Sequence, residues 1–174
     1  SGGMVGQPNR DMRAAATDLV RRLAMPTNPE TEVGIVEFNT TARTLCHLAN
    51  DEAKAIACIR KVNAAGGSAI DQGIKEGERE LASSRWSGPE PFEALVLLSD
   101  GMNNAGCDPV LQAAKWAKAR GILVATVGIG VHDVECMRKV ASSPRYYFAY
   151  PDTIPLEVPP FDRQSAADGR FVIS

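Results

Sequence analysis

A chain of 174 residues, 44% hydrophobic and 23% charged, has the length and balance of a single globular domain with a well-buried core. Its formal charge of −2 lacks the basic surplus that a general nucleic-acid binder carries. The longest apolar runs, Ala94–Leu98 and Ile122–Val127, fall far short of the ~18 residues of a membrane span.

Asn9–Met25 reads as the first helix, because Met12, Ala15, Ala16, Leu19, Val20 and Leu23 recur at the three-and-four spacing of one face. Asn9 is its candidate cap, and Pro26 with Pro29 stops it. Glu32–Phe38 follows as a strand, and Asn39-Thr40 turns the chain into a returning strand, Ala42–Leu48. Asp51–Val62 is a second helix burying Ile56, Ile59 and Val62, ended by the glycines of the Asn63–Gly67 loop. A third helix, Ala69–Ser83, carries Ile70, Ile74, Gly77 and Leu81 on one stripe, and Ser87–Pro91 is a loop. Ala94–Leu98, bounded by Ser99-Asp100-Gly101, has the pattern of a central parallel strand covered on both faces. Pro109–Arg120 is a helix with Asp108 as candidate cap and Gly121 beyond its end. Ile122–Ile129 is another buried strand, His132–Ala141 a helix and Tyr146–Tyr150 a last short strand.

Strands alternating with helices predict an α/β fold, a mostly parallel sheet between two helix layers with one antiparallel edge strand. Residues 1–150 form the domain on this reading, and 151–174 a tail interrupted by Pro155, Pro159 and Pro160, with a terminal strand at 170–173. Cys46, Cys58, Cys107 and Cys136 contain no CxxC pair, so zinc spacing is missing and buried free thiols in a reducing compartment are expected. The chain opens on small polar residues rather than an apolar leader, which adds to an expectation of the cytoplasm, with a secreted protein that has lost its signal as the other reading.

In an open α/β sheet, ligands bind beyond the carboxyl ends of the strands. Three polar clusters fall on such loops: Ser1-Gly2-Gly3-Met4, Gly66-Gly67-Ser68 and Ser99-Asp100-Gly101. Hydroxyls and a carboxylate converging there suit a hard cation such as Mg²⁺ or Mn²⁺. Asn103 and Asn104 lie on the same rim, where a partner would touch them. Ser68 also serves as a candidate cap of the third helix, and Asp71 complements that helix's dipole. His47 and His132 are lone histidines without paired ligands. Gly128-Ile129-Gly130 resembles part of a nucleotide loop but lacks the third glycine.

At these clusters the chain resembles the von Willebrand factor A family and its metal-ion-dependent adhesion site. Ser1-Gly2-Gly3-Met4-Val5-Gly6-Gln7-Pro8 is similar to the D-x-S-x-S motif and the G-x-P that follows. Gly66-Gly67-Ser68 resembles the threonine loop, and Leu97-Leu98-Ser99-Asp100-Gly101 the L-x-S/T-D-G strand end. Ile122–Gly130 and Tyr146-Tyr147-Phe148 resemble the family's later strands. The resemblance implies Ser1, Ser68 and Asp100 as metal ligands, with Gly3 standing where the family has a second ligating serine. The aspartate two positions before Ser1 is not in the chain, and neither is the central strand that carries it. Either the chain is a fragment, or Ser1–Gly3 is foreign to the domain, or Gly169–Ser174 fills the central slot, from its own chain or from a neighbour's. An unfilled slot invites self-association, because two sheet edges would lack partners.

The function implied is a protein-binding module, for adhesion or scaffolding, that recruits a partner at the sheet's C-terminal face with or without a bridging Mg²⁺, the partner's Asp or Glu completing the shell in the bridged form. A degenerate, metal-free structural subdomain of a larger protein is the alternative. An enzyme is not expected, since no Walker loop, G-x-S-x-G elbow or strand-borne GxGxxG is present; a Rossmann-like hydrolase or nucleotide-dependent enzyme is the remaining reading.

Overall fold

The computed structural model describes residues 7–23, 25–63, 67–83, 91–100, 103–151 and 169–174. Its elements run α1 (Gln7–Arg22), β1 (Glu32–Phe38), β2 (Ala42–Ala49), α2 (Glu52–Lys61), α3 (Ile70–Ala82), β3 (Phe92–Ser99), α4 (Asp108–Ala119), β4 (Leu123–Gly128), α5 (Val134–Val140), β5 (Tyr147–Ala149) and β6 (Gly169–Ile173). Short 3₁₀ turns at Met25–Thr27 and Pro144–Tyr146 complete the list. The six strands are ordered β2-β1-β6-β3-β4-β5, parallel throughout except for the β1–β2 hairpin.

Period-two alternation sorts the strand residues onto two faces. Val33, Ile35, Ala94, Val96, Leu98, Ala125, Phe171 and Ile173 pack with Leu19 and Val20 of α1, Leu23 just beyond it, and Ala55 and Ile59 of α2. Val36, Leu95, Leu97, Val124 and Val172 pack with Ile70, Ile74, Val110, Ala114, Met137 and Val140 of α3, α4 and α5. Helix α3 lies close to the sheet because its stripe includes Gly73 and Gly77. A β-carbon at Gly77 would stand 2.5 Å from Leu95 Cδ1, and one at Gly73 2.6 Å from Phe38 Cδ1.

The terminal strand is the centre of the sheet, supplied by the chain's own end. All five residues of β6 are buried, and they pair with β1 on one side and β3 on the other. The slot left open by the sequence is thus filled within one chain, which removes the unpaired edges that would have driven self-association. Arg170 fixes the register. It stands opposite Glu32 of β1 and Glu93 of β3, its Nε donating to Glu32 Oε2 at 3.2 Å and its Nη1 to Glu93 Oε1 at 3.0 Å. Nη1 also donates to the Leu81 carbonyl at the end of α3, at 2.9 Å.

The cysteines correct the expectation of free thiols. Cys46 of β2 is bonded to Cys58 of α2, and Cys107 to Cys136 of α5, with Cα–Cα separations of 6.2 and 5.8 Å. The sequence carries no spacing rule for either pair, because each forms only when a strand and a helix, or two helices, are brought together by the fold.

Candidate functional site

At the carboxyl edge of the sheet a cavity of about 100 Å³ opens between the ends of β1, β6 and β3 and the loop before α3. Ser68, Asp100 and Ser174 supply its polar lining together with Ser99 and Glu37, and Met12, Phe38, Val62 and Leu98 its apolar walls. Ser68 and Asp100, paired by sequence reasoning, therefore do meet at one cavity. Ser1, Gly3, Gly66 and Gly101, from the same reading, lie outside the described residues.

The loop carrying Ser68 is held from three sides. Glu37, 4% exposed, accepts the Asn63 N–H through Oε1 at 2.6 Å and the Arg43 Nε through Oε2 at 2.8 Å. Arg13 of α1 donates to the Val62 carbonyl. Asn104 accepts from the Ser68 N–H at 3.0 Å while its own N–H donates to the Ser68 carbonyl at 2.9 Å. Gly67 leaves room for this carboxamide, which a β-carbon there would overlap.

Three sequence assignments change. Ser68 does not cap α3: the cap position is Ala69, which offers no side-chain acceptor. Asn103 substitutes from the neighbouring loop, its Oδ1 accepting the Ile70 N–H at 2.8 Å and its Nδ2 donating to the Gly106 carbonyl. Buried and fully engaged, Asn103 is a brace rather than a rim residue; Asn104 keeps its exposed position. Asp108 likewise is the first residue of α4, not its cap, which is Cys107. The Cys107–Cys136 bond therefore ties down the end of the loop that leaves Asp100.

The remaining candidates resolve structurally. Asp71 accepts from Lys75 Nζ and Gln72 Nε2 in the first turns of α3. His47 is solvent-exposed and reaches Glu80, whose other oxygen accepts the Leu48 N–H. His132 lies on Gly128 and contacts the Tyr147 hydroxyl through Nε2 at 2.8 Å, so the Gly128-Ile129-Gly130 run makes space for a ring and a turn.

Sequence reasoning missed Glu37 and Ser174. Glu37 shares the face of Val33 and Ile35 at the end of β1, where a carboxylate is ordinarily read as reaching past the core to solvent. Ser174 is 8% exposed, and its Oγ has no hydrogen-bond partner among the described residues. Its backbone is fully paired, with Ser174 N–H donating to Val96 and its carbonyl accepting from Leu98.

A dication held here would rely on hard oxygen donors and on anionic charge. The described residues offer the Asp100 carboxylate and the Ser68 hydroxyl, while Glu37 is committed to Arg43 and Asn63, and Ser174 Oγ lies against Gly73 of α3. Among them there is no group of three or more His, Cys, Asp or Glu side chains placed to share an ion. One uncommitted carboxylate offsets half of a double charge, so among the described residues the donor set for a resident ion is incomplete.

Comparison with known proteins agrees with the architecture. The family model described as von Willebrand factor type A domain matches residues 1–157. An uncharacterized protein of Synechocystis is 30% identical over 156 residues, covering 86% of this chain and 35% of the relative. A UPF0353 protein of Mycolicibacterium paratuberculosis is 31% identical over 133 residues, covering 71% and 39%. The chain thus spans little more than a third of the length of these relatives. Among solved structures, proximal thread matrix protein 1 of the mussel byssus superposes with a TM-score of 0.68 at 19% identity, covering 93% of this chain and 41% of that one. Another structure of that mussel protein has a zinc-occupied metal-ion-dependent adhesion site. The domain of the pilus tip protein Mfa5 from Porphyromonas gingivalis also gives 0.68, at 13% identity and with coverage of 90% and 86%.

Proposed function

Because this chain belongs to the von Willebrand factor type A domain family, we propose that it is a binding module that captures a protein partner at the carboxyl edge of its sheet. The observation that carries the reading is the convergence of Ser68, Asp100 and Ser174 on one cavity that is braced by Glu37, Asn103 and Asn104. Bracing of this kind supports recognition, because loops already ordered lose less freedom when a partner docks.

A Mg²⁺-bridged form is a second reading, supported by the zinc-occupied mussel protein and by Ser68 and Asp100 sharing the cavity. It requires donors beyond the described ones, Ser1 first among them. We further propose an oxidising compartment in place of the expected cytoplasm, because both cysteine pairs are joined.

Thermal melts with and without millimolar Mg²⁺, Mn²⁺ or Zn²⁺, on the chain and on Asp100→Ala, separate the two forms. A ligand that binds only the native state raises the midpoint by mass action. A cation-dependent rise lost in the variant means a bridged site. No rise leaves direct recognition, to be tested by photo-crosslinking from position 104 and from the opposite end of the sheet. Partner crosslinks confined to the opposite end would overturn the assignment of this face.

A further inference from the structure

We propose that the Cys107–Cys136 bond is a redox switch: a dithiol reductant opens it in the folded chain and so loosens the loop that braces the carboxyl edge of the sheet. Its consequence for a partner rests on that edge being the binding face; the switch itself does not.

The two bridges differ in access. Cys46 and Cys58 are 4% and 7% exposed, within the core that α1 and α2 share with the sheet. Cys136 is buried as well, but Cys107 is partly exposed and ends a run in which Asn104, Ala105 and Gly106 are all exposed. Exchange begins when a thiolate attacks a disulfide sulfur, so access decides which bond opens first. A thiolate of the dithiol attacks Cys107 Sγ, and Cys136 leaves as a thiolate. The reductant's second thiolate then displaces Cys107, closing a disulfide within the reductant. Two electrons pass to the chain, and the dithiol's two protons end on Cys107 and Cys136.

The two ends of the bond are held very differently. Helix α5 stays in place without it: Met137 and Val140 are buried in the core, and Thr126 Oγ1 donates to the Met137 carbonyl at 2.9 Å. Lys118 Nζ donates to the carbonyls of Lys139 and Ala141 at 3.1 and 2.9 Å. Cys107, by contrast, takes the cap position of α4 with no side-chain acceptor to offer its first turn. The disulfide, rather than a capping side chain, therefore fixes where α4 begins. Opening it frees the segment that ends at Val110, the first fully buried residue of that helix.

That segment is the brace. Asn104 accepts the Ser68 N–H through Oδ1 and donates its own N–H to the Ser68 carbonyl. Asn103 Oδ1 accepts the Ile70 N–H at the start of α3. Asn103 is in turn tied to Gly106, the neighbour of Cys107. Its Nδ2 donates to the Gly106 carbonyl at 2.9 Å, and its carbonyl accepts the Gly106 N–H at 3.0 Å. A loop that must be ordered on binding weakens the complex by the freedom it loses, so the reduced form binds a partner at this edge less tightly.

The test titrates the intact oxidised chain with dithiothreitol under native conditions. Alkylation with peptide mass mapping reports which pair has opened, far-UV dichroism reports the fold, and amide hydrogen exchange reports the brace. Cys107–Cys136 is expected to open first, with the dichroism unchanged. The amides of Ser68, Ile70 and Asn104 should then exchange faster by about fivefold or more, the factor set by the net contribution of one hydrogen bond, while those of β6 hold. Reoxidation should restore the slow exchange.

Paired serine variants provide the controls. Cys107→Ser with Cys136→Ser should reproduce the fast exchange without reductant and no longer respond to it. Cys46→Ser with Cys58→Ser should leave the three amides slow and keep their response. Three results would each overturn the switch: Cys46–Cys58 opening first, both bonds opening only as the dichroism is lost, or selective opening that leaves the three amides unchanged. Partner crosslinks confined to the opposite end of the sheet, with the amides still responding, would remove the consequence for binding and leave the switch standing.

Discussion

Replacing Arg170 with methionine should cost about 3–5 kcal/mol of folding stability, the range found when one partner of a buried ion pair is removed. The structure places this residue in that class. Its side chain is 2% exposed, and its guanidinium donates to Glu32, Glu93 and the Leu81 carbonyl. Both carboxylates keep partial solvent access, 29% and 26%, so water can recover part of the loss and the lower half of the range is expected. The loss falls on β6, whose two neighbours would otherwise expose unpaired edges. A one-residue slip of β6 would set Arg170 against Val33 and Ala94 and turn its charge to the opposite, apolar face. Urea unfolding at neutral pH, followed by far-UV dichroism, measures the single variant beside a triple variant that also carries Glu32→Gln and Glu93→Gln. The triple variant should regain much of the loss, because it removes the stranded carboxylates along with the cation. A single-variant cost below about 1 kcal/mol, or a triple variant no better than the single one, would refute the idea that this clamp holds the central strand.

Two further predictions concern the disulfides and one carboxyl group. All four cysteines should resist alkylation in the folded, unreduced chain. In the chain-entropy model, removing the bridge that closes a separation of 12 residues costs about 3 kcal/mol and the one that closes 29 about 3.5 kcal/mol, measured with paired Cys→Ser variants by chemical denaturation. Glu78 has its pKa raised above 4.5 by burial, against the opposing pull of Arg120 and Lys75. The native state then holds its proton more tightly than the unfolded chain, so stability falls as pH rises from 4.5 through the raised value and stays lower above it. Glu78→Gln should accordingly raise the melting midpoint at pH 7, with the gain shrinking as the pH drops below 4.5; a gain equal at both pH values would show that the carboxyl charge is not the cause.

The order of elements was legible because apolar spacing differs between strand and helix. Every strand and helix lies within about three residues of its expected bounds, and the fold class follows from their alternation. The central position of β6 was open to inference only through the family resemblance, which implied a vacant slot; composition alone marks a strand, not its place in a sheet. What stayed hidden depends on contacts between distant segments. The α3 N-terminus takes its acceptor from Asn103, 33 positions away in sequence, because Ala69 at the cap has none to offer. Glu37 looks like an ordinary solvent-facing strand residue until Arg43 across the hairpin and the Asn63 amide close over it. The cysteine pairs are invisible for the same reason: spacing carries no information about which strand will lie beside which helix.

The position of β6 links the stability of the sheet to the binding face. One end of this strand is locked by Arg170 between Glu32 and Glu93, and the other delivers Ser174 to the cavity beside Asp100. The backbone joins them through pairing on both sides, from Phe92 opposite Gly169 up to Leu98 bonded to the Ser174 carbonyl. The polar floor of the cavity therefore exists only when the last strand in the chain has docked in register. A ligand that contacts Ser174 binds the docked state alone, and by linkage it must stabilise the insertion of β6 by the free energy it gains there. Substitutions at Arg170, at the far end of the strand from the cavity, should then weaken binding only to the extent that they depopulate the docked strand. Substitutions at Asp100 act on the contact itself.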